Sequence, residues 1–93
     1  MLTALRIDPR DNVAVVLREV QKGEEVLVNM ITGAVHLTAQ SDIPFGHKIA
    51  VTTLLESDPI IKYGEEIGNA KKPIQPGAWV HLQNVYCKRG RED

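Results

Sequence analysis

The sequence predicts an all-β domain of short strands and hairpins, and three observations carry that prediction. Its apolar runs are short and are cut repeatedly by Gly, Pro, Asp and Asn. No segment holds a helical period for about three turns. The apolar residues, 43% of 93, include only 4% aromatics and are led by Val and Ile, which pack well on a pleated surface. A chain of this length supports one modest core, and no linker or shift of composition divides it, so residues 1–93 are expected to form one domain.

Taken in order, Leu2–Ile7 is the first expected strand. Asp8-Pro9-Arg10-Asp11-Asn12 is a turn, because Pro fixes φ while Asp and Asn bond their own backbone. Val13–Leu17 follows as a buried strand, and Glu19–Gly23 as one helical turn or a tight loop. Glu24–Met30 reads as a strand with Val26 and Val28 on one face and Leu27 on the other. Thr32-Gly33 reads as its hairpin turn and Ala34–Ala39 as the returning strand.

Ser41–Gly46 is a loop punctuated by Pro44 and Gly46, and His47–Leu54 alternates as a strand. Glu56–Pro59 is a further turn, and Ile60–Tyr63 is a short strand ended by Gly64. Glu65–Lys72 is expected to hold a helical turn near Ile67–Ala70. Pro73, Pro76 and Gly77 form a stiff corner before a last strand, Ala78–Cys87, with Trp79 as its anchor. A faint echo of a polar turn before an apolar strand start links Lys22–Val26, Glu56–Ile60 and Gln75–Val80, and repeated turn chemistry explains it as well as duplication does.

The net charge of −1 gives no reason to expect nucleic acid or an anionic membrane as a partner. The basic run at 88–91 closes in Glu92-Asp93 and reads as a solvated, flexible tail over 88–93. The N-terminus is too soon charged for a signal peptide, and no stretch approaches the ~20 apolar residues of a membrane span. The single cysteine, Cys87, excludes an internal disulfide and a thiolate metal cluster, and reads as a small hydrophobe. A cytoplasmic setting fits these features.

Three clusters can carry chemistry. Pro44 and Gly46 deliver His47 and Lys48 to a strand start, where histidine can move a proton and lysine can hold a carboxylate. The plain alternative is a surface pair beside a turn. Lys62-Tyr63-Gly64 offers a cation, a phenol and an open backbone to an anion, or else a solvated strand end. Trp79, His81 and Gln83 share one face if their strand is regular, forming a pocket wall or the wet side of a sheet. His36 stands alone and reads as structural or exposed. Phosphate-loop, zinc-spacing and nucleophile-elbow motifs do not occur.

Four segments together resemble the small domain of the altronate and galactarate dehydratases. They are Asp11-Asn12-Val13-Ala14-Val15; Ile43-Pro44-x-Gly46-His47-Lys48-Ile49-Ala50; Ile61-Lys62-Tyr63-Gly64-Glu65-x-Ile67-Gly68; and Gly77-x-x-Val80-His81-x-x-Asn84. The match runs from Asp11 to Asn84, and its order makes it specific where each motif alone would be weak. The resemblance implies a β-clip fold of the SAF type. It also implies a small subunit of a hydro-lyase that removes water from a sugar acid such as altronate or galactarate to leave a 2-keto-3-deoxy acid.

A divalent metal, usually iron, and a separate large subunit that holds most of it are implied as well. A homo-oligomer is allowed. A related branch eliminates sulfite from sulfolactate, and SAF domains also serve as non-catalytic binding modules. On this resemblance His47 and Lys48 are the expected catalytic residues. Lys62, Tyr63 and Asn84 are expected to bind substrate, and His81 to bind metal or substrate. Two departures stand out: Gln83 occupies a position where the family often has a second histidine, and Ser57 one where it often has glycine. Glutamine neither shuttles protons nor ligates iron well.

Overall fold

In a computed structural model, residues 2–31 and 33–87 are described, with the backbone but not the side chain of Cys87. The expectations for Thr32, for the Cys87 side chain and for the tail at 88–93 lie outside this set. The described chain is all-β, with no helix. Its strands are β1 (Ala4–Leu5), β2 (Val13–Val16), β3 (Glu25–Met30), β4 (Gly33–Thr38), β5 (Lys48–Ala50), β6 (Pro59–Lys62), β7 (Glu65–Ala70), β8 (Trp79–Val80) and β9 (Val85–Cys87). One sheet runs β4-β3-β1-β2-β5-β8, and a smaller one runs β6-β7-β9. The short β1 is parallel to β3 and antiparallel to β2, so it closes the larger sheet between two hairpin systems.

Strand alternation fills two cores. Val26 and Val28 of β3 point inward with Val16, Val20, Ile43 and Ile49, all fully buried, as the period-2 pattern requires. Val13, Ala50, Ile60, Ala70 and Val80 gather in the second core between the two sheets. Neighbouring residues of one strand thus serve different cores: Ile49 faces the first and Ala50 the second.

One turn recurs four times. Gln21–Glu24, Pro44–His47, Leu55–Asp58 and Gln75–Ala78 each close with an N–H from the fourth residue to the carbonyl of the first, at 3.0, 3.1, 3.0 and 3.1 Å. In each, the third residue has a positive φ (Gly23 88°, Gly46 83°, Ser57 76°, Gly77 91°). Its N–H donates to a distant carbonyl, that of Ala39, Val16, Ala70 and Ala50 respectively. The apolar residue before each turn is buried, and these residues bridge in pairs, Val20 with Ile43 and Leu54 with Ile74. The echo seen in three segments of the sequence is therefore a fourfold turn, with Pro44–His47 as the member that composition concealed.

Two expectations fail. Residues 65–70 form strand β7, not a helical turn, because β7 pairs with β6 on one side and β9 on the other. Gly68 sits where a Cβ would strike the Tyr86 carbonyl oxygen, so its place is set by close strand approach. The last strand is also not continuous. A turn at residues 81–84 separates β8, in the larger sheet, from β9, in the smaller. Asn84 makes this break: its Oδ1 accepts from the His81 N–H at 2.9 Å and its Nδ2 donates to the Trp79 carbonyl at 2.8 Å. The strand expected at His47–Leu54 is shorter as well, spanning Lys48–Ala50.

Candidate functional site

The site is assembled where β5 meets β8. Ile49 of β5 pairs with Trp79 of β8, and Lys48 pairs with Val80. His47, the last residue of its turn, stands just ahead of β5 and beside the Trp79 ring. The Trp79 Nε1–H donates to His47 Nδ1 at 3.2 Å. The turn at 81–84 swings His81 back over Trp79, so that its ring stacks on the indole at 5.2 Å with an interplanar angle of 8°. The two imidazoles lie 5.0 Å apart. A regular strand would have set Trp79 and His81 on one face at wider spacing; the break brings them into stacking contact.

This geometry sets the tautomer of a neutral His47 and a lowered pKa at His81. Indole N–H is a donor only, so His47 Nδ1 must be the acceptor, and in the neutral ring the proton sits on Nε2. His81 has its pKa lowered, first by burial and then by the charges of His47 and Lys48. A neutral His81 keeps a lone pair. Lys48, although it follows His47 directly in sequence, also contributes to the lowering at His81, after burial and His47. The two can share one site because His47 belongs to a turn and Lys48 to a strand.

The remaining sequence candidates fall elsewhere. Lys62 and Tyr63 form the tip of the β6–β7 hairpin, where the Lys62 ammonium lies 4.9 Å from the Tyr63 ring centroid. No described hydrogen bond, ion pair or ring contact joins that tip to His47, Trp79 or His81. Asn84 belongs to the histidine cluster, but it is buried and its amide is engaged by backbone. Gln83 is exposed, and its amide donates to the Trp79 carbonyl at 3.3 Å. His36 is exposed, 3.2 Å from Glu25.

Sequence reasoning missed a clasp under the Tyr63 tip. Asp11 is buried at 4% exposure, and its carboxylate accepts the Gly64 N–H at 2.8 Å and the Asp8 N–H at 3.0 Å. Asn12 accepts the Ile61 N–H and donates to the Pro59 carbonyl. The clasp holds Tyr63 at φ 55°, a conformation that a bulky residue adopts only under constraint. Asp11 and Asn12 look like ordinary turn residues in sequence, and their partners lie about fifty positions away.

Among the described residues no group of three or more His, Cys, Asp or Glu converges as a metal centre. Among the described residues the two imidazoles of this face have no further donors of the kind a divalent ion requires, so these donors alone do not make an iron site. No helix of the described residues is long and apolar enough to cross a membrane.

The fold and the cluster define a small helix-free β domain that presents histidine, tryptophan and lysine at the meeting of two strands. Residues 2–88 match the altronate/galactarate dehydratase SAF domain, and the chain belongs to that family. It is 38% identical over 85 residues to the altronate dehydratase of Bacillus subtilis, covering 91% of this chain but 16% of that protein. It is 33% identical over 85 residues to (2R)-sulfolactate sulfo-lyase subunit alpha of Chromohalobacter salexigens, covering 88% of this chain and 90% of the relative. The corresponding subunit of Paracoccus pantotrophus is 45% identical over 53 residues, 57% of this chain and 79% of the relative. The all-β architecture is consistent with the small β-clip fold expected of a SAF domain.

Proposed function

We propose that this chain is the small SAF-domain subunit of a hydro-lyase that removes water from an aldonate or aldarate such as altronate or galactarate, and that it works with a separate large subunit. The observation that carries the reading is the His47–Trp79–His81 cluster. It sets two imidazoles 5.0 Å apart, ring centre to ring centre, with the Trp79 indole N–H on His47 Nδ1 and the His81 pKa lowered by burial, then by His47 and Lys48. Relatives include altronate dehydratases and lyase subunits, which supports both the reaction class and the need for a partner.

Dehydration of a sugar acid begins with the weakly acidic proton next to the carboxylate. His81, held neutral, takes that proton. The enediolate oxygen that develops receives the His47 Nε2–H and the charge of Lys48, the two groups able to stabilise it. The proton on His81 then returns to the β-hydroxyl as the C–O bond breaks. Water leaves, and the enol relaxes to the 2-keto-3-deoxy acid. His47 thus acts as the hydrogen-bond donor of the acid/base pair. Asn84 serves substrate indirectly, by fixing the turn that carries His81.

Lys62 and Tyr63 offer substrate a cation and a phenol from the separate β6–β7 tip. Any divalent metal, iron by the resemblance, would be held mainly by the large subunit, since the His81 lone pair serves the proton. A cytoplasmic, reducing compartment suits the single cysteine.

The sulfo-lyase reading keeps the same proton abstraction and replaces hydroxide with sulfite as the leaving group; its support is the likeness to the two alpha subunits. The deciding experiment purifies the tagged chain from its native lysate and assays the eluate, with added divalent metal, on altronate, galactarate and sulfolactate. Keto-acid release that disappears with His47→Ala supports the dehydratase. Sulfite release selects the lyase. A partner-free chain with no product overturns both.

A further inference from the structure

Beside the histidine cluster lies an open groove of about 320 Å³ that the proposed chemistry does not use. It shares Trp79 and Asn84 with the cluster and runs away from it along Gln40, Ser41, Lys72, Gln75 and Gln83. Its chemistry is one-sided. The lining supplies a hydroxyl, four primary amides and one ammonium, and contains no carboxylate; the amides of Gln40, Gln83 and Asn84 already donate to backbone carbonyls, and among the described residues that of Gln75 does not. Of the adjacent lysines, Lys71 places its ammonium 5.0 Å from the Tyr86 ring centroid, whereas Lys72 lines the groove. Neither Lys72 nor Gln75 has a hydrogen-bond or ion-pair partner through its side chain among the described residues.

Primary amides and a hydroxyl both donate and accept, which suits a row of ligand hydroxyls. An indole wall suits the C–H face of such a chain. A single cation without a neighbouring anion suits a carboxylate. The volume lies at the small end of ligand sites, which run from about 300 to 1,000 Å³. We infer that this groove binds the far end of a linear hydroxylated dicarboxylate, with Lys72 engaging the second carboxylate and thereby favouring aldarates over aldonates. The inference rests on the dehydratase reading for its orientation, since the reacting end must face His47 and His81. It deepens that reading by naming the substrate class.

The test is an amide-detected NMR titration of the full chain at constant ionic strength with galactarate, galactonate and galactitol. The indole N–H of the single tryptophan and the side-chain amides of Gln75 and Gln83 are direct reporters. Saturable shifts at these groups are expected, tightest for galactarate and weakest for galactitol. Lys72→Ala should lower galactarate affinity about three- to fivefold, to the level of galactonate, the range of one exposed ion pair. No saturable shift with galactarate, an equal response to galactitol, or a preference that survives Lys72→Ala overturns the inference. Groove binding without turnover in the partnered enzyme would sink the dehydratase reading and leave the groove standing; turnover with no groove response would do the reverse.

Discussion

The turns at Gln21–Glu24 and Pro44–His47 have the same backbone and opposite uses. Both close with the same hydrogen bond, both place a glycine at positive φ, and both hand that glycine's N–H to a distant carbonyl. They differ at the fourth side chain. Glu24 folds back onto the Gln21 N–H at 2.8 Å and reaches Arg18 at 2.9 Å; the Arg18 guanidinium, then the backbone N–H, hold its carboxyl below the usual range. Asp58 does the same to the Leu55 N–H. Pro44 has no N–H to cap, so His47 has nothing to fold back on and turns to Trp79 instead. One missing donor converts a structural turn into one that presents chemistry.

The largest expected effect separates these two turns. His47→Ala in the partnered enzyme should cut turnover by about 10²–10³-fold, the usual weight of one hydrogen-bond donor to a developing oxyanion, with the melting temperature nearly unchanged. Glu24→Gln, which keeps an oxygen for the Gln21 N–H and removes the exposed Arg18 ion pair, should lower the denaturant midpoint only slightly and leave turnover alone. If His47→Ala unfolds the domain, or Glu24→Gln costs activity, the division between the turns is wrong. Next in size is a comparison of glycines. A Cβ at Gly77 would be driven into the Thr38 carbonyl oxygen, whereas one at Gly23 meets nothing within 4 Å. Gly77→Ala should destabilise by about 3 kcal/mol or more, and Gly23→Ala by about 1–2 kcal/mol for the positive φ alone.

A smaller effect concerns pH. Burial, then the charges of His47 and Lys48, lower the His81 pKa below its ordinary value of 6.5 in the folded state. The unfolded chain therefore takes up this proton first as pH falls. The contribution of His81 is fully present above about pH 6.5 and is lost as pH drops towards the folded value. Denaturant midpoints measured from pH 7.5 down to 5 should fall, and His81→Gln should flatten part of that slope. Asp8, held at about 2 against an ordinary 3.8 chiefly by the Arg10 side chain, enters only below that window, with its stabilisation lost as pH falls from 3.8 towards 2.

Local chemistry was legible in the sequence, and long-range pairing was not. Period-2 alternation identified β3 correctly and separated Val26 and Val28 from Leu27; the structure makes the valine face the buried one. The turns announced themselves through Gly, Pro and Asp. Two failures have one cause, because alternation cannot show which sheet a strand joins. The polar Glu65-Glu66 and Asn69 of β7 resemble a helical turn until β6 and β9 are seen to flank it. The break at 81–84 depends on Asn84 capping backbone groups upstream, which no hydrophobic pattern records. In the candidate cluster, His47, Lys48 and His81 were named from residue type and resemblance. The Asp11–Asn12 clasp and the Lys72 groove were not, since each is made by residues distant in sequence whose types suit an ordinary surface.

The smallest effect tests the fourfold turn itself. At its third position three turns carry glycine and one carries Ser57, at φ 76°. Serine there bears the steric cost of a left-handed backbone, about 1–2 kcal/mol in general, and the same position holds Gly23, Gly46 and Gly77 without it. The Ser57 N–H still donates to Ala70 at 2.8 Å, and Asp58 still caps Leu55, so the hydrogen bonds are intact and only the strain is left to remove. Glycine also frees the unfolded chain, which offsets part of the gain. Ser57→Gly should therefore stabilise by about 0.5–1 kcal/mol, read as a higher denaturant midpoint at unchanged slope. A neutral or lower midpoint would mean that serine is tolerated there at no cost, and that the four turns share hydrogen bonds without sharing a conformational requirement.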